Sequence, residues 1–236
     1  MTAGVIDQSQ RTASRVVGVA YILSVAIVVI ANFGVGGRLM VAGDAAATMH
    51  NIASSVGLFR LTIVLDLIYG VGVVVLAAAL YVVLRPVSRH LALLAALSRF
   101  TFALLWVLVP LALLAVLLLS TDAGVGRSLG AEPSQALVRL LRAGTGNLYY
   151  VGLLFWSLAA TICSWLWLKS RYVPSALALI GLAGSAWCVF CTVWYLIDPA
   201  FANVVNLWWF DSPMVLFEIA VSVWLLVRGL PAGAAA

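Results

Sequence analysis

Six long apolar stretches constrain this chain more than any other feature of its sequence. They cover residues 16–33, 61–84, 91–119, 148–168, 176–197 and 214–227. A transmembrane helix needs about 20 mostly apolar residues, a length that most of the stretches reach. The chain is 65% hydrophobic and only 9% charged, whereas about a quarter of a soluble domain is charged. The sequence therefore predicts an all-α polytopic membrane protein, a single six-helix transmembrane domain over residues 1–236.

The distribution of Lys and Arg predicts the orientation of the spans. An even number of spans places both termini on one side, where seven cations face a single acid, Asp7. These cations are Arg11, Arg15, Arg85, Arg89, Lys169, Arg171 and Arg228. Because the opposite side has equal numbers of cations and acids, the positive-inside rule predicts a cell-membrane protein with both termini cytoplasmic. The first stretch is longer than the apolar core of a signal peptide, so we expect it to remain as a span.

Two of the outer connections predict short amphipathic helices. In the first, Asp44 is placed to cap a helix whose apolar stripe is formed by Ala45, Met49, Ile52 and Val56, with Thr48 off the stripe. In the second, Pro133 opens a helix that Gly144 stops, with Leu137, Leu140 and Leu141 as its apolar positions. We expect both helices to lie on the outer membrane surface.

Three charged residues lie inside the predicted spans: Asp66, Arg99 and Glu218. A charge near the bilayer centre costs about 2.5 to 3.5 kcal/mol on insertion scales, so the presence of each residue calls for a structural or functional explanation. If the second and sixth helices enter at Phe59 and Pro213, Asp66 and Glu218 lie about 10 Å and about 8 Å deep, at similar levels. Arg99 leans towards the other face, so its pairing with either acid would require the helices to shift.

Two interpretations of these charges follow. If Asp66 and Glu218 face each other, desolvation and repulsion favour the protonated acid, and the pair becomes a candidate catalytic centre with Arg99. In the second interpretation, each acid forms a hydrogen bond with a hydroxyl or backbone carbonyl of a neighbouring helix and stabilises the helix bundle.

Candidate substrate-binding residues surround these charges along the chain. Tyr69 lies one turn from Asp66 on the same face, and Arg60 lies near the outer interface, where its side chain can equally well reach water. Several Trp residues lie too deep for the interfacial belt, and the candidates among them are Trp106, Trp187, Trp194 and Trp224. Inward-facing rings would stabilise a cationic or isoprenoid ligand, whereas the alternative is bulky packing against lipid or core.

The sequence predicts neither a metal site nor a cofactor. The two histidines, His50 and His90, fall on opposite predicted faces, which excludes a histidine-rich metal site or a bis-histidine haem. The Cys188 and Cys191 pair has the spacing of a redox motif but lacks relay cysteines, so we expect packed thiols. The basic charge follows from topology, so membrane lipid and a lipophilic small molecule are the expected partners, and nucleic acid is not.

Five short motifs, the last of them made of two strings, together resemble the bacterial integral-membrane family DUF4386, a domain of unknown function. They are GDAAAT from residue 43, GLFRL from 57, LYVVLRP from 80, RYVP from 171, and FEI from 217 with WLLVR from 224. The resemblance implies a six-helix membrane fold in which Arg60, Asp66, Arg99 and Glu218 occupy the polar positions of the family. The resemblance implies a polar or acidic residue soon after Arg99, but Phe100, Thr101 and Phe102 follow here, so a partner for Arg99 must come from another helix.

Three classes of function remain open from the sequence. The leading hypothesis is a lipid-accessible pocket for a lipophilic small molecule, with Asp66 and Glu218 as general acid and base of a protonation-initiated isoprenoid cyclisation or another lipid-modifying reaction. The second is a proton-coupled small transporter that uses the same carboxyls. The third is a non-catalytic membrane component that stabilises or regulates a partner.

Overall fold

The structure, a computed structural model, describes residues 6–231, except for the side chains of residues 32, 33, 126 and 127. The fold is 88% helical, and the described residues form no strand. The helices are α1 (Gln8–Val29), α2 (Gly37–Leu39), α3 (Ala45–Ser54), α4 (Val56–Leu84), α5 (Arg89–Thr121), α6 (Ala123–Leu129), α7 (Ala131–Ser170), α8 (Ser175–Ile197) and α9 (Trp208–Val227). A π-helix at Ile30–Gly36 joins α1 to α2, and a 3₁₀-helix at Pro199–Asn203 follows α8.

Six helical segments within the described residues are long and apolar enough to cross a membrane. They are Gln8–Leu39, Val56–Leu84, Arg89–Thr121, Ala131–Ser170, Ser175–Ile197 and Trp208–Val227. Each contains one of the predicted apolar stretches, which confirms the all-α, six-span prediction. The helices exceed the stretches because backbone hydrogen bonding continues into the polar flanks. Which side each end faces stays a prediction.

The sixth spanning helix, α9, begins earlier than the sequence indicated. Its first residue is Trp208, whose backbone N–H donates to the Asn206 side chain at 3.0 Å, and Pro213 lies inside the helix. Pro213 is the sixth residue of the helix, so its missing N–H leaves the Trp209 carbonyl without its usual intrahelical donor, and the Trp187 indole donates to this carbonyl instead at 2.8 Å. The helix therefore begins five residues before Pro213, and the point at which it enters the membrane stays a prediction.

The second predicted outer helix is not a separate element. Pro133 lies in the first turn of α7, and the helix continues through Gly144 to Ser170. A glycine inside a helix costs only about 1 kcal/mol, which does not stop a helix of this length. The short helix in this connection is α6, whose first turn donates backbone N–H groups to the Asp122 side chain.

The helix predicted after Asp44 is present as α3. The Asp44 carboxylate accepts a hydrogen bond from the Ala47 backbone N–H at 2.8 Å, so its predicted role as N-cap is confirmed. The apolar stripe packs against protein, because Ile52 is fully buried. Thr48 is also buried, with its hydroxyl donating to the Asp44 carbonyl at 2.8 Å. The position of α3 on an outer membrane surface stays a prediction.

The chain folds as two compact units, each built from discontinuous segments. Among the described residues, the first unit comprises 6–23, 72–103 and 150–231. Its interior is rich in large apolar side chains that are almost fully buried: Val17, Leu76, Leu84, Leu166, Trp167 and Leu225. The charged side chains of Arg99 and Glu218 are buried in the same unit.

The second unit comprises 24–71 and 104–149. Its buried cluster brings Ile52 of α3 together with Phe59 of α4, Val116 of α5 and Val138 of α7. Asp66 is buried in this unit. The prediction of a single domain stays a prediction.

Candidate functional site

A buried ion pair joins α5 to α9 in the first unit. Nη2 of Arg99 lies 3.3 Å from Oε1 of Glu218, and the two side chains are 0% and 3% exposed. The same nitrogen donates to the Tyr21 hydroxyl of α1 at 2.6 Å. The indole N–H of Trp156, on α7, donates to Glu218 Oε1 at 3.0 Å. Four helices therefore supply one polar cluster within an apolar interior.

Two aromatic rings flank the Arg99 guanidinium. Its Cζ atom lies 4.1 Å from the centroid of the Trp156 ring and 5.3 Å from that of Tyr21. At these distances the faces of the rings stabilise a cation electrostatically. The Cys163 thiol lies beside the guanidinium as well. The aromatic surroundings thus replace part of the hydration that Arg99 loses on burial.

The hydrogen bonding of Arg99 is incomplete. Its Nε and Nη1 atoms are buried and have no oxygen or nitrogen acceptor, and the nearby Cys163 sulfur is only a weak acceptor. A guanidinium carries five N–H donors and accepts nothing, so only an acceptor can satisfy these groups. Chemically, the cluster therefore offers buried cationic donors next to a carboxylate that can accept a proton.

The sequence predicted that Arg99 would pair with an acid only if the helices shifted, but the structure pairs it directly with Glu218. Arg99 lies ten residues after Arg89, where α5 begins, and Glu218 lies ten residues after Trp208, where α9 begins. At 1.5 Å per residue each lies about 15 Å along its helix, and the structure brings the two side chains into contact. No shift of the helices is needed. The partner does come from another helix, as the residues after Arg99 indicated.

Asp66 lies in a second polar and aromatic cluster, in the second unit. The Trp106 indole lies beside its carboxyl. The rings of Tyr69 and Trp106 have centroids 4.8 Å apart, and Trp106 also contacts Tyr149 at 6.4 Å. The structure thus brings together three residues that the sequence singled out, Asp66, Tyr69 and Trp106. The two acids belong to different units, so their predicted pairing stays a prediction.

The remaining candidates lie outside these clusters. Arg60 is exposed near the start of α4. Trp187 and Trp194 are 39% and 49% exposed on α8 and contact Phe190, and Trp187 donates to the Trp209 carbonyl at 2.8 Å. Trp224 lines a recess near the end of α9. Their predicted roles in substrate binding stay predictions.

Two members of the Arg99 cluster have only a weak signal in the sequence. Trp156 is one of the tryptophans too deep for the interfacial belt, but nothing in its neighbourhood indicates a carboxylate partner. Tyr21 is a single polar aromatic residue within an apolar stretch, which is common enough to be overlooked. Both become functional candidates only through contacts between distant helices.

The helices define the class of protein, and a comparison with known families identifies the family. Six membrane-length helices with buried polar clusters make this a multi-pass integral membrane protein. The model of the family Domain of unknown function (DUF4386) matches residues 16–229, and the chain belongs to that family. No curated protein and no solved structure shows significant similarity to the chain.

Proposed function

We propose that the protein binds a lipophilic small molecule that carries a hydrogen-bond acceptor, with Arg99 and Glu218 as its recognition centre. The observation that carries this proposal is that two nitrogens of a fully buried guanidinium have no oxygen or nitrogen acceptor. A buried donor without an acceptor costs about 1 to 3 kcal/mol, and more when it is charged. An arginine that only fastens helices is expected to have all its donors satisfied.

A carboxylate or carbonyl oxygen on an apolar ligand would complete this arrangement. It would accept hydrogen bonds from Nε or Nη1, while Nη2 keeps its bond to Glu218. Glu218 would exchange a proton with the ligand, which is the general acid or base role that the sequence indicated. The apolar body of the ligand would reach the centre from the lipid, because the surrounding helices are apolar.

Binding is better supported at this centre than isoprenoid cyclisation. A cyclase needs aromatic rings around an empty space in which a carbocation develops. The two rings beside Glu218, Trp156 and Tyr21, are already in contact with the Arg99 guanidinium. We retain the enzyme hypothesis in a different form, a lipid-modifying reaction at the Asp66 cluster. Tyr69 and Trp106 supply the aromatic rings there.

A non-catalytic membrane component is the second candidate, and one observation favours it. The Arg99–Glu218 pair is enclosed, and Glu218 Oε1 accepts hydrogen bonds from both Arg99 and Trp156. Such a pair can fix the register of neighbouring helices without binding anything. The two candidates differ in whether a small molecule accompanies the protein.

Mass spectrometry of molecules that co-purify with the protein in native-lipid particles distinguishes the two candidates. The test variant is the double substitution Arg99→Met with Glu218→Leu, because replacing a whole buried pair by apolar residues preserves or improves stability in many proteins. Arg85→Gln, which removes an exposed cation, is the matched control.

We expect one recurrent lipophile with an acceptor group in the wild-type and Arg85→Gln samples. Its amount should fall about tenfold or more in the double variant, as the loss of one charge-assisted bond implies. Identical lipid profiles from folded samples of all three proteins would overturn the proposal and leave the non-catalytic candidate.

A further inference from the structure

The buried pair of Arg99 and Glu218 has an open acceptor as well as open donors. Both hydrogen bonds to the Glu218 carboxylate, from Arg99 and from Trp156, end on Oε1. Within the part of the chain that the structure describes, the Oε2 atom accepts none. The Nε and Nη1 atoms of Arg99 have no oxygen or nitrogen acceptor either. A ligand that only accepts hydrogen bonds would therefore leave the Glu218 Oε2 atom without a donor.

We infer that the ligand of this centre is a lipid alcohol, whose hydroxyl accepts a hydrogen bond from Arg99 and donates one to Glu218 Oε2. The inference rests on the proposed function, because it specifies the polar group of the lipophile proposed above. A hydroxyl combines one O–H donor and two acceptor lone pairs on a single oxygen. It therefore matches both kinds of open atom in this centre.

The open atoms adjoin one and the same contact. Oε2 of Glu218 is bonded to the same carbon as Oε1, and Nε and Nη1 of Arg99 are bonded to the same carbon as Nη2. Oε1 and Nη2 are 3.3 Å apart, so the open acceptor and the open donors flank this ion pair. One hydroxyl group at the edge of the ion pair can reach both.

The charge of the centre favours a neutral polar group. Arg99 is the only buried cation among the described residues, and Glu218 already compensates its charge. A second acid, Asp211, lies two turns before Glu218 on α9 and acts on it electrostatically. An ionised carboxylate or phosphate would add a further negative charge to an apolar interior that has no second cation to balance it. A hydroxyl adds no charge.

The enclosure of the centre favours a small polar group. The side chains of Arg99 and Glu218 are 0% and 3% exposed, and the rings of Trp156 and Tyr21 flank the guanidinium. An amide or a protonated carboxylic acid also donates and accepts, but each places two polar atoms and a carbon in this space. A hydroxyl places one heavy atom there. The nearby Cys163 thiol does not replace it, because sulfur is a weak donor and a weak acceptor.

The experiment compares four probes with unbranched alkyl chains of similar length. Hexadecanol donates and accepts, hexadecyl methyl ether only accepts, hexadecane does neither, and palmitate is an anion at a pH where its carboxyl group is ionised. Full-length protein in phosphatidylcholine nanodiscs is exposed to a concentration series of each probe, and bound probe is measured by mass spectrometry after washing. Empty nanodiscs give the amount that partitions into lipid, which is subtracted.

We expect hexadecanol to bind most tightly. The ether and palmitate should each bind about tenfold or more weakly than hexadecanol, the ether because it cannot donate to the charged Oε2 atom and palmitate because its charge is not balanced. Hexadecane should bind more weakly than the ether. In the double variant Arg99→Met with Glu218→Leu, the affinity for hexadecanol should fall to that for hexadecane. Arg85→Gln, which removes an exposed cation of the same unit, should keep the wild-type order.

Two kinds of failure are distinguishable. Equal affinities for hexadecanol and the ether, or tighter binding of palmitate than of hexadecanol, with hexadecane weakest, would overturn the lipid-alcohol inference and leave the proposed acceptor-binding centre intact. Equal affinities for all four probes, or a wild-type order that persists in the double variant, would overturn the proposed function as well. The comparison of the four probes on wild-type protein does not depend on how well the variant folds.

Discussion

Removing one member of the Arg99–Glu218 pair leaves the other as a buried side chain without its partner. The pair is embedded in apolar surroundings, with 0% and 3% of the side chains exposed. Water cannot compensate for the lost contact, because it does not reach the site. The loss of stability on substitution therefore depends mainly on whether a buried charged side chain is left without its partner.

Glu218→Gln should destabilise the protein by about 3 kcal/mol or more, because it keeps the shape of the side chain but leaves the Arg99 charge uncompensated. The double variant Arg99→Met with Glu218→Leu should recover most of this loss. Melting temperatures in detergent measure both effects.

Asp66→Asn is the matched control for this prediction. Among the described residues Asp66 has no ion pair, and asparagine keeps the shape of the side chain and an acceptor oxygen beside the Trp106 indole. We expect a change of less than about 1 kcal/mol, within the range of a single neutral hydrogen bond. A loss in Asp66→Asn as large as that in Glu218→Gln would contradict this account of the ion pair.

At the scale of the helices, α3 depends on a local contact. The Asp44 carboxylate is exposed and satisfies the Ala47 N–H. Asp44→Ala should destabilise α3 by about 1 kcal/mol, the usual effect of losing an N-cap. Hydrogen exchange should then increase across 45–54, whereas His50→Ala, a change at an exposed position of the same helix, should leave exchange nearly unchanged. Unchanged protection in Asp44→Ala would show that burial of Ile52 alone holds the helix.

The contact between α8 and α9 depends on small residues. An alanine Cβ at position 181 would lie 2.5 Å from ring atoms of Phe217, and one at position 184 would lie 3.1 Å from the backbone of Pro213. The two helices therefore approach closely because these positions lack side chains, as is common in membrane bundles.

Gly181→Ala should cost about 1 to 3 kcal/mol, because Phe217 must move within a packed interior. Gly57→Ala is the control, since nothing lies within 4 Å of an added methyl group there. This control should be neutral or stabilise α4 by up to about 1 kcal/mol through helix propensity. Equal effects of the two substitutions on melting temperature would argue against the close approach of α8 and α9.

At the scale of the whole molecule, the distribution of Lys and Arg predicts the orientation of the protein in the membrane. Single cysteines at Ser88 and His50 should be labelled from opposite sides of intact cells, with Ser88 cytoplasmic. His50 is exposed, whereas Ser134 in the same predicted outer region is 2% exposed and would label poorly.

The native thiols provide the background for this measurement. Cys163, Cys188 and Cys191 are free and buried, so they should react slowly in the folded protein. Labelling of both introduced cysteines by an impermeant reagent from outside would contradict the predicted orientation.

The sequence by itself determined the features that depend on near neighbours and on average hydropathy. Six apolar stretches required six helices, because a backbone in lipid must satisfy its hydrogen bonds within itself. The Asp44 cap and the family membership were also readable, since both lie in short strings of residues.

Only the tertiary structure decided which distant residues meet. Arg99 and Glu218 are 119 positions apart, and the hydropathy of their spans did not show that α5 and α9 bring the two side chains together. Likewise, Arg171 and Trp224 form one recess only because α7, α8 and α9 pack together. Side-chain partners and helix ends are settled by competition among contacts between helices, and no local pattern encodes that competition.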